Sequence, residues 1–398
     1  MKLKYPTLFS LYIAQSIPMS FFSTVVPVIM RQESYSLESI GLLQLIKLPW
    51  ILKFLWAPLV DNKVNNKRQL RRWIIASELF YAMVILSIGF FQLETNFSLI
   101  VALMMIAITA SATQDIATDI FAIRILKPDE KCVGNGIQSA GSFIGSLFGA
   151  GVLLLAYHYF GWSALLILLA SFVAFAIVPL LFYRPELISS QPAGQRAGLR
   201  DIITFFHDPF TRKRLLILIF YYSGLMGILT MLKPWMVDLG YDVKEIGIMS
   251  GIVGTATAAI ASMAGGFLVR WIGRKASFYL FAFVNLATAL FFVYLAGHTP
   301  SLIELYVGIC LLWGAYGLSM VIIFTSSMDA VRPHSAGTDF TVQIVITQLS
   351  AMVLGVLSGK LAGAMGYQGL FMVEVALAIT SILLLLWVYP LRKKSTFI

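Results

Sequence analysis

Asp115 and Asp119 stand four residues apart in Ala112-Thr113-Gln114-Asp115-Ile116-Ala117-Thr118-Asp119, inside an otherwise apolar stretch. On a helix that spacing sets both carboxylates on one face, where like charges raise each other's proton affinity. A second apolar stretch carries Lys53, eight residues before Asp61. With about 1.5 Å of rise per residue, Lys53 reaches a depth close to that of Asp115, so an ion pair between them is feasible. Two acids against one base leave a carboxylate over as a proton carrier; in the plainer alternative, the charges neutralise one another and lock the helices. Lys233, in Leu232-Lys233-Pro234-Trp235, either snorkels to the lipid headgroups or receives an anionic solute, and Lys47 is a second such cation. Tyr12, Gln15, Trp313 and Tyr316 offer hydrogen bonds and aromatic faces to a large solute, or pack a core. Lys360 and Glu374 read as a structural pair.

Other chemistries find no support in the sequence. No Gly-x4-Gly-Lys-Ser/Thr run is present, so ATP is not the expected energy source. His158, His207, His298 and His334 have no metal-ligand spacing and no nucleophile to serve, and Cys132 and Cys310 cannot build a disulfide framework. No catalytic residue, cofactor or metal site is expected.

The elements that must hold these residues are membrane spans. Of 398 residues, 59% are hydrophobic and 12% charged, far from the balance of a water-soluble domain. The net charge of +10 lies between apolar blocks, which points to a membrane surface rather than to nucleic acid. Spanning about 30 Å of hydrocarbon takes about 20 apolar residues. Twelve segments qualify: 6–30, 40–60, 73–93, 98–123, 134–157, 162–183, 214–237, 246–269, 276–297, 303–327, 340–363 and 369–390. The fold class is therefore all-α integral membrane, with six spans in residues 1–183, six in 214–398, and a cytoplasmic linker at 184–213. The linker opens Arg184-Pro185-Glu186, and its apolar residues suit a short interfacial helix. The first apolar stretch is too long for a cleaved signal and is expected to stay in the membrane. Among the 29 Lys and Arg, Arg31 and Lys244 alone fall on one side of the membrane, while Lys47, Lys53, Lys233 and Lys360 lie within spans. The remainder crowd the other side, placing both termini in the cytoplasm.

The halves echo one another. Ser39-Ile40-Gly41 answers to Glu245-Ile246-Gly247 at an offset of 206, while Gln138 answers to Gln343, and Gly161-Trp162 to Gly366-Tyr367, at 205. Three ordered matches favour duplication and pseudo-symmetric halves.

Gly265-Gly266-Phe267-Leu268-Val269-Arg270-Trp271-Ile272-Gly273-Arg274-Lys275 combines glycines that let helices approach closely with bases that can cap carbonyls or meet acids. It resembles the loop motif of the major facilitator superfamily, whose first-half equivalent here runs from Ala57-Pro58 to Asp61-Asn62-Lys63 without the glycines. Leu48 to Asp61 and Ala112 to Asp119 resemble the branch holding the AmpG muropeptide permeases, acetyl-coenzyme A transporters and related siderophore importers. Ala336-Gly337-Thr338-Asp339-Phe340-Thr341 leans toward the siderophore importers. The resemblance implies import of a bulky polar small molecule through the inner membrane with protons, by a monomer whose halves rock about a midplane site. Gating would involve ion pairs of Lys53, Asp61, Arg270 and Arg274, with Gly265 and Gly266 at the close approach of helices. Muropeptide is the favoured cargo and a siderophore the alternative; an intramembrane enzyme or a non-transporting receptor are the rival classes.

Overall fold

An apolar chain in hydrocarbon has no water to satisfy its peptide groups, so each segment must close its own hydrogen bonds. The computed structural model describes residues 3–32, 43–64, 66–92, 95–183 and 196–390, and every regular element among them is helical. The Ser39-Ile40-Gly41 motif, the linker's opening Arg184-Pro185-Glu186 and the extreme C-terminus lie outside the described residues.

Among the described residues, eight helical runs are long and apolar enough to cross a membrane. Two of them, Lys131–Leu181 and Ala336–Val388, are 51 and 53 residues long. At about 1.5 Å per residue each would measure over 70 Å if straight, more than twice the bilayer core. Neither is straight. Gly161 breaks the first at φ 75° and ψ −178°, and Gly366 breaks the second at φ 73° and ψ 176°. That backbone region is open essentially to glycine alone. The two breaks lie 205 residues apart and share one conformation.

Residues 40–60, expected as one span, form a chain of short helical pieces from Gln44 to Lys63: Gln44–Lys47, Leu48–Leu52, Lys53–Leu55 and Ala57–Lys63. The cause is local. Pro49 and Pro58 each withhold a backbone N–H and fit only the first turn of a helix, so each starts a new piece. The next helix, Lys67–Ile88, begins six residues before the expected span because Asn66 and Gln69 form a capping box that fixes its start.

The chain divides into two compact units. The first comprises residues 1–127, 141–201 and 331–341; the second comprises 128–140, 202–330 and 342–398. In the first, Lys67–Ile88 packs against Phe97–Ile125 and against Leu153–Phe175. Ile17, Phe21, Phe22, Ile85, Met104 and Leu166 are among its buried apolar residues. In the second, Leu302–Asp329 packs against Thr255–Ile272 and Arg274–Ala296. Phe90, Phe160 and Phe175 of the first unit and Phe267 and Trp271 of the second are among many large apolar side chains left exposed, as residues facing lipid would be.

Candidate functional site

In the first unit the helix Phe97–Ile125 carries Ser111, Gln114, Asp115, Thr118 and Asp119, all buried. The broken pieces around Lys53 bring its side chain inward. Lys53 forms an ion pair with Asp115, and both side chains are nearly sealed, at 2% and 6% exposure. The ammonium also sits 4.6 Å from the centre of the Trp50 ring, a second favourable contact for a buried cation. Taking one partner away would leave a buried charge uncompensated. Trp56, in the next turn, donates its indole N–H to Thr113 at 3.1 Å, tying the same two segments together.

Asp119, one turn further along, accepts a 2.8 Å hydrogen bond from the Tyr12 hydroxyl. Gln15, on the same helix as Tyr12, donates to Gln114 Oε1 at 2.6 Å. Gln114 in turn donates to Glu78 Oε2 at 2.9 Å. Three helices thus meet through one polar layer. Glu78 escaped the sequence reading, although an acid amid Ile74-Ile75-Ala76-Ser77-Glu78-Leu79-Phe80-Tyr81 carries the same cost argument as the aspartates. It lies inside the expected span 73–93, five residues past its start.

Asp61, also wholly buried, meets the start of the helix Ala336–Val388, whose first residues belong to this unit. Its carboxylate accepts from the N–H of Gly337 at 3.0 Å and from the N–H and hydroxyl of Thr338 at 2.7 Å each. A carboxylate at a helix N-terminus satisfies orphan donors and complements the helix dipole. Gly337 is required there, since a Cβ would lie 2.6 Å from the Ile120 side chain. Asn62 locks the neighbouring turn by exchanging hydrogen bonds with the backbone of Ala197, at 2.6 and 2.8 Å. Arg124 donates to the carbonyl of Val64 at 2.6 Å. A further cluster absent from the sequence reading lies close by: Arg332 clasps Asp339 at 2.7 Å and contacts Asp201 at 3.5 Å, and His334 lies 3.3 Å from Asp201. Partial burial opposes ionisation of Asp201, yet the Gly198 N–H, His334 and the Arg332 charge hold its carboxyl below its ordinary range.

The second unit keeps most of its charges at helix ends. Arg274 binds Asp329 and the carbonyl of Pro128, Lys131 reaches Asp329 at 3.2 Å, and Arg270 meets Asp129 at 3.5 Å. The Arg270–Asp129 pair is half exposed on both sides and contributes little. The helices Lys131–Leu147 and Thr255–Ile272 cross at a seam of small residues: a Cβ on Gly266 would lie 2.7 Å from the carbonyl oxygen of Cys132, and one on Gly136 would lie 2.7 Å from that of Ser262. Gly265 faces Leu318 instead.

The remaining candidates are less enclosed. Lys47 in the first unit and Lys233 in the second are exposed. Trp313 and Tyr316, partly buried, stand 6.4 Å apart edge to face, and Tyr316 meets Tyr222 at 5.8 Å. Lys360 and Glu374 do not pair. Lys360 is exposed, whereas Glu374 is buried against the backbone of Gly227, so the expected pair is corrected: similar depth did not give the two side chains a common direction. Among the described residues no cluster of His, Cys, Asp and Glu could hold a metal ion.

Comparison with known proteins agrees with a chain built to move solutes. An uncharacterised protein of Haemophilus influenzae is 28% identical over 95% of this chain and 93% of its own. The anhydromuropeptide permease of Escherichia coli is 23% identical over 94% of this chain and 77% of its own. Among solved structures, a bacterial homologue of the iron transporter ferroportin in the outward-facing state superposes with a TM-score of 0.70 at 16% identity, covering 98% of this chain and 99% of that one. The family model of the Major Facilitator Superfamily matches residues 8–353, and the chain belongs to that superfamily of membrane transporters.

Proposed function

We propose that this transporter imports a bulky polar solute, a cell-wall muropeptide, across the inner membrane together with protons. The observation that carries the cargo is the likeness to the anhydromuropeptide permease over nearly the whole chain. The observation that supports the proton is the polar layer of the first unit, where Asp115 and Asp119 sit one turn apart with distinct partners, Lys53 and Tyr12. Breaking the two longest runs at Gly161 and Gly366, and counting the short pieces from Gln44 to Lys63 and the helix Lys67–Ile88 as spans, gives twelve in two sets of six. In this reading both termini are cytoplasmic and the protein works as a monomer. Asp115 and Asp119 exchange the proton, while Lys53, Asp61, Gly265, Gly266, Arg270 and Arg274 hold and release the gate. Tyr12, Gln15 and Lys47 of the first unit, and Lys233, Trp313 and Tyr316 of the second, are the residues that contact the cargo.

A siderophore remains the second cargo. It is favoured by Ala336–Thr341, although in the structure Gly337 and Thr338 of that stretch bind Asp61. The deciding experiment offers labelled anhydromuropeptide and labelled ferric siderophore separately to cells lacking their own importers and producing this chain. Uptake of the first alone is expected; uptake of the siderophore alone would overturn the cargo assignment.

A further inference from the structure

Asp115 has Lys53 and Asp119 has Tyr12, but Glu78, another buried acid of the first unit, has no basic partner among the described residues. Gln114 donates a hydrogen bond to its Oε2, and its Oε1 is buried without a partner among the described residues. The groups around it are uncharged or already engaged. Tyr81, three residues on along the same helix, carries a phenol rather than a charged side chain. Gln114 and Gln15 are amides; Asp115, next to Gln114, is held by Lys53; the packed helix Leu153–Phe175 carries no acid or base except His158 near its first turn. A bare carboxylate in such a place would cost several kcal/mol, while a neutral acid leaves only one unpaired hydroxyl.

We infer that Glu78 is a proton-binding site distinct from the aspartate pair, occupied in this conformation and read by Gln114. In the occupied form the proton sits on Oε1, and the carbonyl Oε2 accepts from the Gln114 amide. Gln114 thereby turns its own oxygen toward Gln15, fixing the first helix against the fourth expected span. The proton returns to water as hydronium only when the layer opens. The resulting carboxylate pulls harder on the Gln114 amide and needs water at Oε1. Loss of the proton and opening of the Gln15–Gln114 contact are thus one event. This last step rests on the proton-driven transport reading; the binding of the proton does not.

The test is infrared spectroscopy on the purified full-length protein in lipid vesicles at neutral pH. The parent-minus-Glu78→Gln difference spectrum should show the C=O stretch of a protonated carboxyl, and Glu78→Gln should melt near the parent temperature because an amide matches the shape of the neutral acid. Gln114→Leu should keep the band and move it to higher frequency, since its carbonyl has lost a donor. A difference spectrum without the band, or with a carboxylate band in its place, overturns the proposal. So does a band that stays fixed in Gln114→Leu. For the step that rests on transport, Glu78→Gln should flatten the pH dependence of cargo accumulation while exchange persists. An unchanged pH profile beside an active parent would make the acid merely structural, whereas a parent that accumulates nothing would sink the transport reading instead.

Discussion

In the first unit the charge lies deep: Lys53, Glu78, Asp115 and Asp119 are each under 5% exposed, and the partners resolved for them come from three other helical segments. In the second, Lys131, Arg270, Arg274, Asp129 and Asp329 gather at helix ends. Deeper in that unit Asn285 and Ser319 bond each other at 3.0 Å, with Tyr221 donating to the carbonyl of Phe278; Glu374 and Arg214 are its buried charged exceptions. The contrast separates two uses of charge. An ion held in a dry interior must keep its partner or change its protonation state, and the proposed proton coupling draws on that property of the first unit. Ions at helix ends cap carbonyls and tie loops at small cost, which is how most of the second unit's charges are used.

The sharpest way to break this contrast is Lys53→Ala. It strands Asp115 in the first unit's interior and should cost roughly 3–5 kcal/mol of stability, as loss of one partner of a buried pair does. The check is thermal unfolding of the purified protein. The double variant Lys53→Ala, Asp115→Asn should recover most of that loss, because it removes the stranded charge with its partner. An unchanged melting temperature in the single variant would place the pair among the weak surface bridges.

On the second unit's side, Lys233→Gln should weaken apparent affinity for anhydromuropeptide about ten- to a hundredfold, the loss of about 1.4–3 kcal/mol of charge-assisted bonding. Lys233→Arg should rescue poorly, since a planar fork does not replace a compact ammonium. If the side chain only snorkels, Arg is tolerated and Gln leaves affinity near normal. Measuring affinity beside surface expression separates the two.

Gly266→Ala tests the crossing of small residues in the second unit. The added methyl meets backbone at Cys132 and Val133, which cannot swing aside, so a loss of about 1–3 kcal/mol is expected, read as a lower melting temperature. Arg270→Gln marks the bottom of the scale. With both partners half exposed it should stay within about 0.5 kcal/mol of the parent.

The sequence carried much of this plan, for physical reasons. Helical spacing alone put Asp115 and Asp119 on one face, and the eight residues between Lys53 and Asp61 set Lys53 at the depth where it meets Asp115. The glycines at 161 and 366 were visible as a repeat, but only φ shows why glycine stands there: each is the bend in a run too long to cross once. What the sequence hid was partnership over long separations. Asp61 finds Gly337 and Thr338 across 276 and 277 positions, and no periodicity in either segment announces the other. Glu78 hid because its partner is an amide rather than an opposite charge. Span two concealed its breaks because hydropathy ignores the missing N–H of Pro49 and Pro58.

The central claim is that the buried acids of the first unit couple cargo entry to proton entry. Its most direct measurement places the purified protein in sealed vesicles with a pH-sensitive dye inside and no imposed gradient, then adds anhydromuropeptide outside. The account predicts that cargo carries protons inward and acidifies the lumen, and that Asp115→Asn combined with Asp119→Asn abolishes the acidification while labelled cargo still exchanges. Cargo entry by the parent with no change in lumenal pH would contradict it.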